Sequence, residues 1–140
     1  MEKILLEKQL CFKLYALSRQ ITNLYRPLLE ELDLTYPQYL VMLVLWNEKT
    51  VSVKALGERL YLDSGTLTPL LKRLEQKELI TRKRDKADER SVLIELTASG
   101  KNMQQKAKCV PEELNKTLGF DELGYQEIKS KLDQMLMQFN

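Results

Sequence analysis

Cys11 and Cys109 are the only thiols in this 140-residue chain, and no residue is histidine. Without imidazole the commonest general base and metal ligand is missing, and two cysteines make a poor zinc site. No metal or cofactor is therefore expected, and what remains is thiol chemistry. A thiolate attacks peroxides and disulfides, provided that its neighbours stabilise S⁻ over SH. Cys11 and Tyr15 stand four residues apart and so share one face of a helix. A lone cysteine on an amphipathic helix more often packs in a core, and at this point both roles stay open.

The second chemistry is electrostatic. The net charge is only +2, but residues 64–90 hold eight basic side chains against five acidic ones. These are Lys72, Arg73, Lys77, Arg82, Lys83, Arg84, Lys86 and Arg90. A basic patch on a balanced chain can neutralise phosphates; the competing reading is a solvated charged face.

The elements that would carry these residues follow from periodicity. Leu10, Leu14, Leu17, Ile21 and Leu24 recur at helical spacing over residues 7–25, and Pro27 should kink or interrupt that helix. Thr35-Tyr36-Pro37-Gln38 reads as a capping box opening a second helix, and Ser52 caps a third. A fourth helix starts near Asp63 or Ser64 with Leu67, Leu70, Leu71 and Leu74 as its buried stripe. Its opposite side shows Gly65, Pro69, Lys72, Arg73 and Gln76, with Thr66 and Thr68 at the flanks. Small residues leading an outward face, with cations behind them, suit a groove floor between phosphate rails. Val92, Ile94 and Leu96 alternate as a half-buried strand that pairs back on residues 80–84. Thr97 caps a fifth helix running to about Cys109, Pro111 and Gly119 punctuate a connection, and residues 121–139 form the last helix.

Helix, turn, helix and basic hairpin over residues 52–96 describe a winged helix-turn-helix, a DNA-reading unit. The expected fold is mainly α with a small β-hairpin wing. It is one domain over residues 1–140, with its DNA-binding part at 35–97. Residues 1–34 and 98–140 are helices whose apolar faces fit a homodimer, and two-fold symmetry suits a palindromic site. The longest apolar run, residues 40–46, is too short to span a bilayer, and the N-terminus lacks a signal-peptide core. A cytoplasmic location with reduced thiols is expected.

The stretches QLCFKLYALSR, LYRPLLEELDLTYPQYLVMLVLW and LGERLYLDSGTLTPLLKRLEQKELITRKRDKADERSV closely resemble the MarR family. Within it they resemble the OhrR branch of organic-hydroperoxide-sensing repressors. The resemblance spans residues 9–100 and implies a dimeric repressor that leaves DNA when oxidised. By that match Cys11 is the reactive cysteine, Tyr25 and Tyr36 hydrogen-bond its sulfur across the subunit interface, and Tyr15 rearranges on switching. Ser64, Thr66, Thr68 and Arg73 match recognition-helix contacts, and Asp88 and Arg90 match the wing, whose arginine enters the minor groove. Lys72 and Arg84 belong to the basic stretch that would meet phosphates.

Two phenols are chemically suited to the role, because they donate to a thiolate without bringing a competing base. Some relatives cap or over-oxidise the sulfenic acid, whereas others resolve it with a late cysteine as an intersubunit disulfide; Cys109 is the candidate resolver. Several alternatives remain in view. The regulator could serve virulence or biofilm genes, answering other oxidants or a noncovalent phenolic ligand. The protein could be a thiol peroxidase, although nothing in the sequence looks like a reductase motif. Arg90 could simply pair with Asp88 in the wing turn.

Overall fold

A computed structural model describes residues 3–139. Its elements are α1 (Leu10–Glu30), α2 (Tyr36–Glu48), β1 (Thr50–Ser52), α3 (Val53–Leu60), α4 (Ser64–Gln76), β2 (Ile80–Arg84), β3 (Val92–Leu96), α5 (Ala98–Ala107), α6 (Val110–Leu118) and α7 (Glu122–Leu136). Short 3-10 turns flank the set at Leu6–Lys8 and Met137–Phe139. The chain forms two compact units, Met1–Lys108 and Cys109–Asn140.

Helix starts follow local cap chemistry. The Thr35 hydroxyl accepts from the Gln38 amide, and the Gln38 side chain accepts from the Thr35 amide at 3.0 Å, so the reciprocal box exists as read. Ser52 caps α3 through the Ala55 amide and Thr97 caps α5 through the Gly100 amide. Such caps satisfy amide donors that a helix start leaves unpaired.

The first unit is a winged helix-turn-helix. Antiparallel pairing of β2 with β3 sets Ile80 opposite Leu96 and Arg84 opposite Val92. The sheet holds a third strand that periodicity did not reveal: β1 pairs with β3, giving the order β1-β3-β2. Val41, Met42 and Leu45 of α2, Leu56 of α3, Leu67, Leu71 and Leu74 of α4, and Ile80 and Ile94 of the sheet are all buried. Each such side chain contributes on the order of 1.5–3 kcal/mol relative to exposure. Those inward leucines hold α4 in place, so its outer face is left free to be polar.

Of the kink or interruption expected at Pro27, the interruption does not occur, and α1 continues to Glu30. Only the amide bond to the carbonyl four residues back is lost, in the last turn, and buried Leu29 anchors the helix just beyond it. The fifth helix ends at Ala107, and the stretch marked by Pro111 and Gly119 is itself helical as α6. Pro111 occupies its first turn and Gly119, at φ 66°, terminates it in the left-handed region. The two residues mark the start and stop of a helix, an asymmetry with a simple steric origin.

In the second unit α7 has no buried residue, and Asp121 caps it through the Gly124 amide. Tyr125, Ile128, Leu132 and Met135 of α7 are exposed at alternating three- and four-residue steps, the spacing of a coiled-coil seam. Among the described residues no helix is long and apolar enough to cross a membrane.

Candidate functional site

The candidate reading surface starts at the cap of α4. Asp63 accepts the Thr66 amide at 2.7 Å, and that hydrogen bond holds its carboxyl below the usual carboxylate value. Ser64, Gly65, Thr66, Thr68, Lys72 and Arg73 are all exposed, while Leu67, Leu71 and Leu74 point inward. A depressed carboxylate pKa contributes stability that is fully present above the unfolded value of 3.8 and is lost as pH falls through the lower folded value. Asp63→Asn keeps an acceptor at the cap but does not titrate. Its melting temperature is therefore expected to fall less steeply than that of wild type on acidification below about pH 4. Parallel acid limbs in thermal melts of the two proteins would remove this assignment.

The wing turn is built by aspartates. Asp85 and Ser91 are bonded across it through the Asp85 amide and the Ser91 carbonyl, at 2.9 Å. The Asp85 side chain accepts from the Ala87 amide at 2.9 Å, and the Asp88 side chain accepts from the Arg90 amide at 3.1 Å. Asp88 thus binds the backbone of Arg90, and among the described residues no ion pair holds the Arg90 guanidinium. The simple Asp88–Arg90 salt bridge is not what this turn contains.

Tertiary contacts sort the basic stretch into two groups. Arg82 meets Glu75 of α4 through a two-pronged contact, at 3.4 and 3.2 Å, and Lys83 meets Glu95 of β3 at 2.9 Å. Lys77 turns back to Asp33 and Gln38. Among the described residues, Lys72, Arg73, Arg84, Lys86 and Arg90 have no acidic partner and stay exposed. These five are the cations available to an external polyanion, whereas Arg82 ties the wing to the recognition helix.

The thiol region is divided along α1. Cys11 is exposed at the second position of the helix. One turn on, Tyr15 is exposed, with the Arg19 guanidinium 5.7 Å above its ring and 3.4 Å from its hydroxyl. Tyr25 lies fourteen residues beyond Cys11 on the same helix, roughly 21 Å along the axis at the standard rise. That is out of reach of a tyrosine side chain. Tyr25 and Tyr36 stack at 4.5 Å between ring centroids, with buried Tyr39 at 5.8 Å from Tyr25 and Trp46 edge-on to Tyr39. Burial pushes the Tyr36 phenol above its usual value, so it keeps its proton as a donor. The structure thus brings Tyr25 and Tyr36 together and leaves Cys11 at the far end of α1.

Cys109 is exposed and precedes α6 as its N-cap residue, in the second unit; it does not end the fifth helix. Sequence reasoning missed Asp33, Glu75 and Glu95 as the partners that neutralise part of the basic stretch, and Gln38 as the uncharged acceptor beside Asp33. Only proximity in the fold marks them, since Asp33 and Lys77 are 44 residues apart.

The family model described as transcriptional regulator SarA/Rot matches residues 23–107. The organic hydroperoxide resistance transcriptional regulator of Bacillus subtilis is 54% identical over 134 residues, covering 94% of this chain and 89% of that protein. Among solved structures, AbfR of Staphylococcus epidermidis is similar in several states. Reduced AbfR bound to DNA has 36% identity and a TM-score of 0.78, covering 96% of this chain and 93% of its own. Overoxidised AbfR bound to DNA has 36% identity and a TM-score of 0.77, covering 96% and 95%. Disulfide-formed AbfR has 35% identity and a TM-score of 0.63, covering 94% and 92%.

Proposed function

Since the chain belongs to the MarR family of winged-helix transcriptional regulators, we propose that it is a repressor switched by oxidation of Cys11. Reduced, it binds a palindromic operator as a homodimer; an organic hydroperoxide releases it. The observation that carries this reading is the division of the thiol site along α1. Cys11 and the Tyr25–Tyr36 pair are too far apart to meet within one chain, so two chains packed antiparallel along α1 would complete two identical sites. Exposed Leu10, Phe12, Tyr15 and Leu17 on α1, and the seam on α7, offer apolar surface for such packing.

In the completed site both phenols donate to the Cys11 thiolate and favour S⁻ over SH. The thiolate attacks the terminal oxygen of R′OOH and the O–O bond breaks. A proton goes to the departing alkoxide, giving Cys11–SOH and R′OH. A second thiol then attacks the sulfenic sulfur, forming S–S and releasing water; Cys109 of the other chain is the proposed source. AbfR sits on DNA in both its reduced and its overoxidised structures, with its disulfide form solved separately. The overoxidised complex supports a switch that needs more than oxygen on sulfur, and the disulfide is the proposed further step. On the DNA side, Ser64, Thr66, Thr68 and Arg73 would read the major groove and Arg90, set by Asp88, the minor groove. Lys72 and Arg84 would meet phosphates.

A gel-shift series with cumene hydroperoxide, run beside a non-reducing gel, tests this on wild type, Cys11→Ser and Cys109→Ser. Wild type is expected to release DNA and form a covalent dimer. Cys11→Ser is expected to stay bound, and Cys109→Ser to lose the covalent dimer and remain largely bound. Release by Cys11→Ser would refute the sensor role, and release by Cys109→Ser without a covalent dimer would refute the resolver role.

A further inference from the structure

The exit of the recognition helix is fastened to the corner that carries the tyrosines. Lys77 is the C-cap residue of α4. Its ammonium donates to the backbone carbonyl of Asp33 and to Oε1 of Gln38, at 3.3 Å for the latter, and lies 3.5 Å from the Asp33 carboxylate. Two of the ammonium's three donors go to these hydrogen-bond acceptors, and the Asp33 carboxylate adds an ion pair. Gln38 is only 2% exposed, and its side-chain oxygen also takes the Thr35 amide. The first turn of α2, on which Tyr36 stands, is thus fixed by one glutamine that also holds Lys77.

Both ends of this link are conformationally specified. Asp33 at φ 52° and Glu78 at φ 60° are left-handed non-glycine residues, an arrangement that surrounding contacts must maintain. On its other side the same exit is held by Thr97, whose hydroxyl donates to the Glu78 carbonyl at 2.6 Å and whose amide donates to that of Leu79. The ordinary use of a lysine at this point in a basic stretch is a phosphate contact. Here its side chain is only 30% exposed, and its ammonium already holds two hydrogen bonds and an ion pair.

We propose that Lys77 is a positioning residue that couples the Tyr25–Tyr36 corner to the recognition helix, so that DNA engagement and the state of the tyrosines are felt at one another's site. The inference rests on the DNA-binding reading above and names the part of the chain that transmits the switch. Coupling between two sites is reciprocal, so it can be read from either end without an oxidant. A rearrangement at the tyrosine corner pulls on Gln38 and Asp33, and through Lys77 on the last turn of α4. Operator binding, which fixes α4, restrains Tyr36 by the same contacts.

The test uses the full-length reduced protein carrying 3-fluorotyrosine, with Tyr36 assigned by its loss in Tyr36→Phe. The DNA probe is a palindromic duplex selected in vitro by reduced wild-type protein. Fluorine NMR is expected to show a Tyr36 shift on saturation with duplex in wild type, and to lose most of it in saturated Lys77→Met. The ratio of oxidised to reduced Kd is expected to shrink by roughly five-fold or more, within the range of ordinary coupling. A merely structural lysine would lower the melting temperature and leave both readouts as in wild type. Asp33→Asn guards against misfolding of Lys77→Met, because its side chain is 92% exposed and asparagine tolerates the left-handed region. It removes one of the three contacts and is expected to reduce the shift in part.

A Tyr36 shift that persists in both variants overturns the proposal. So does a Lys77→Met defect confined to a shallower salt dependence, which would make Lys77 a phosphate contact. Wild type that binds the duplex but ignores hydroperoxide sinks the redox reading alone, and the Tyr36 shift then decides this one.

Discussion

Gly100→Ala is expected to cost about 2–3 kcal/mol of stability, near the top of the range for an overpacked site, and to lower the melting temperature by roughly 10 °C. Gly100 lies in the first turn of α5, where a Cβ would collide with the backbone carbonyl of Leu79 and come within 3.1 Å of the Leu96 side chain. A side chain could swing away, but this carbonyl cannot, because it accepts the Thr97 amide at 3.1 Å. The Gly100 carbonyl in turn accepts the indole N–H of Trp46 at 2.9 Å, so α5 cannot slide outward without breaking that bond. For a domain stable by about 5–15 kcal/mol the loss is a large fraction. Gly65→Ala is the control. Its Cβ meets only the Asp63 carboxylate at 3.4 Å, and alanine is the better helix former by about 0.5–1 kcal/mol. It should melt no lower than wild type, yet bind DNA more weakly if the outer face of α4 sits on a groove floor. A Gly100→Ala protein melting within about 2 °C of wild type would show that the α4–α5 joint is softer than its geometry implies.

Arg90→Ala is expected to reduce operator affinity by roughly 30-fold or more. A specific side-chain contact to a base edge is worth about 1–3 kcal/mol, and the proposed homodimer would lose two of them at once. The slope of log K against log salt should become shallower by about 2, one released counterion per chain. The prediction depends on the Arg90 guanidinium having no acidic partner among the described residues. Arg82→Ala is the instructive comparison, since Arg82 is held by Glu75. Its loss would loosen the wing against α4 and weaken binding with little change in slope. Fluorescence anisotropy titrations at several salt concentrations separate the two. Equal affinities for Arg90→Ala and wild type at every salt would exclude the wing arginine from the interface.

The contrast between these two arginines shows where sequence reading runs out. Both lie in one basic stretch, and composition treats them alike. Arg82 is neutralised by a residue seven positions earlier that becomes a neighbour only when β2 packs on α4. Caps were legible because their chemistry is local: Thr35, Ser52 and Thr97 each bind an amide three residues on. The β2–β3 hairpin was legible from alternation. The three residues of β1 were not, since so short a strand is defined by its partner β3 and not by its own pattern. Pro111 and Gly119 were read as loop punctuation because each residue breaks a helix interior; position relative to the helix ends decides otherwise. The tyrosine corner was identified by resemblance, while its stacking and its distance from Cys11 needed three dimensions.

That distance has a genetic consequence. If each sensing site takes its sulfur from one chain and its phenols from the other, the unit of inheritance is not the unit of function. A Cys11→Ser allele and a Tyr25→Phe, Tyr36→Phe allele would each be insensitive alone. Expressed together, half of their dimers by random pairing would be mixed, and each mixed dimer would contain one fully wild-type site beside one that lacks both sulfur and phenols. Two unresponsive alleles should therefore restore a partial peroxide response to each other in a single cell.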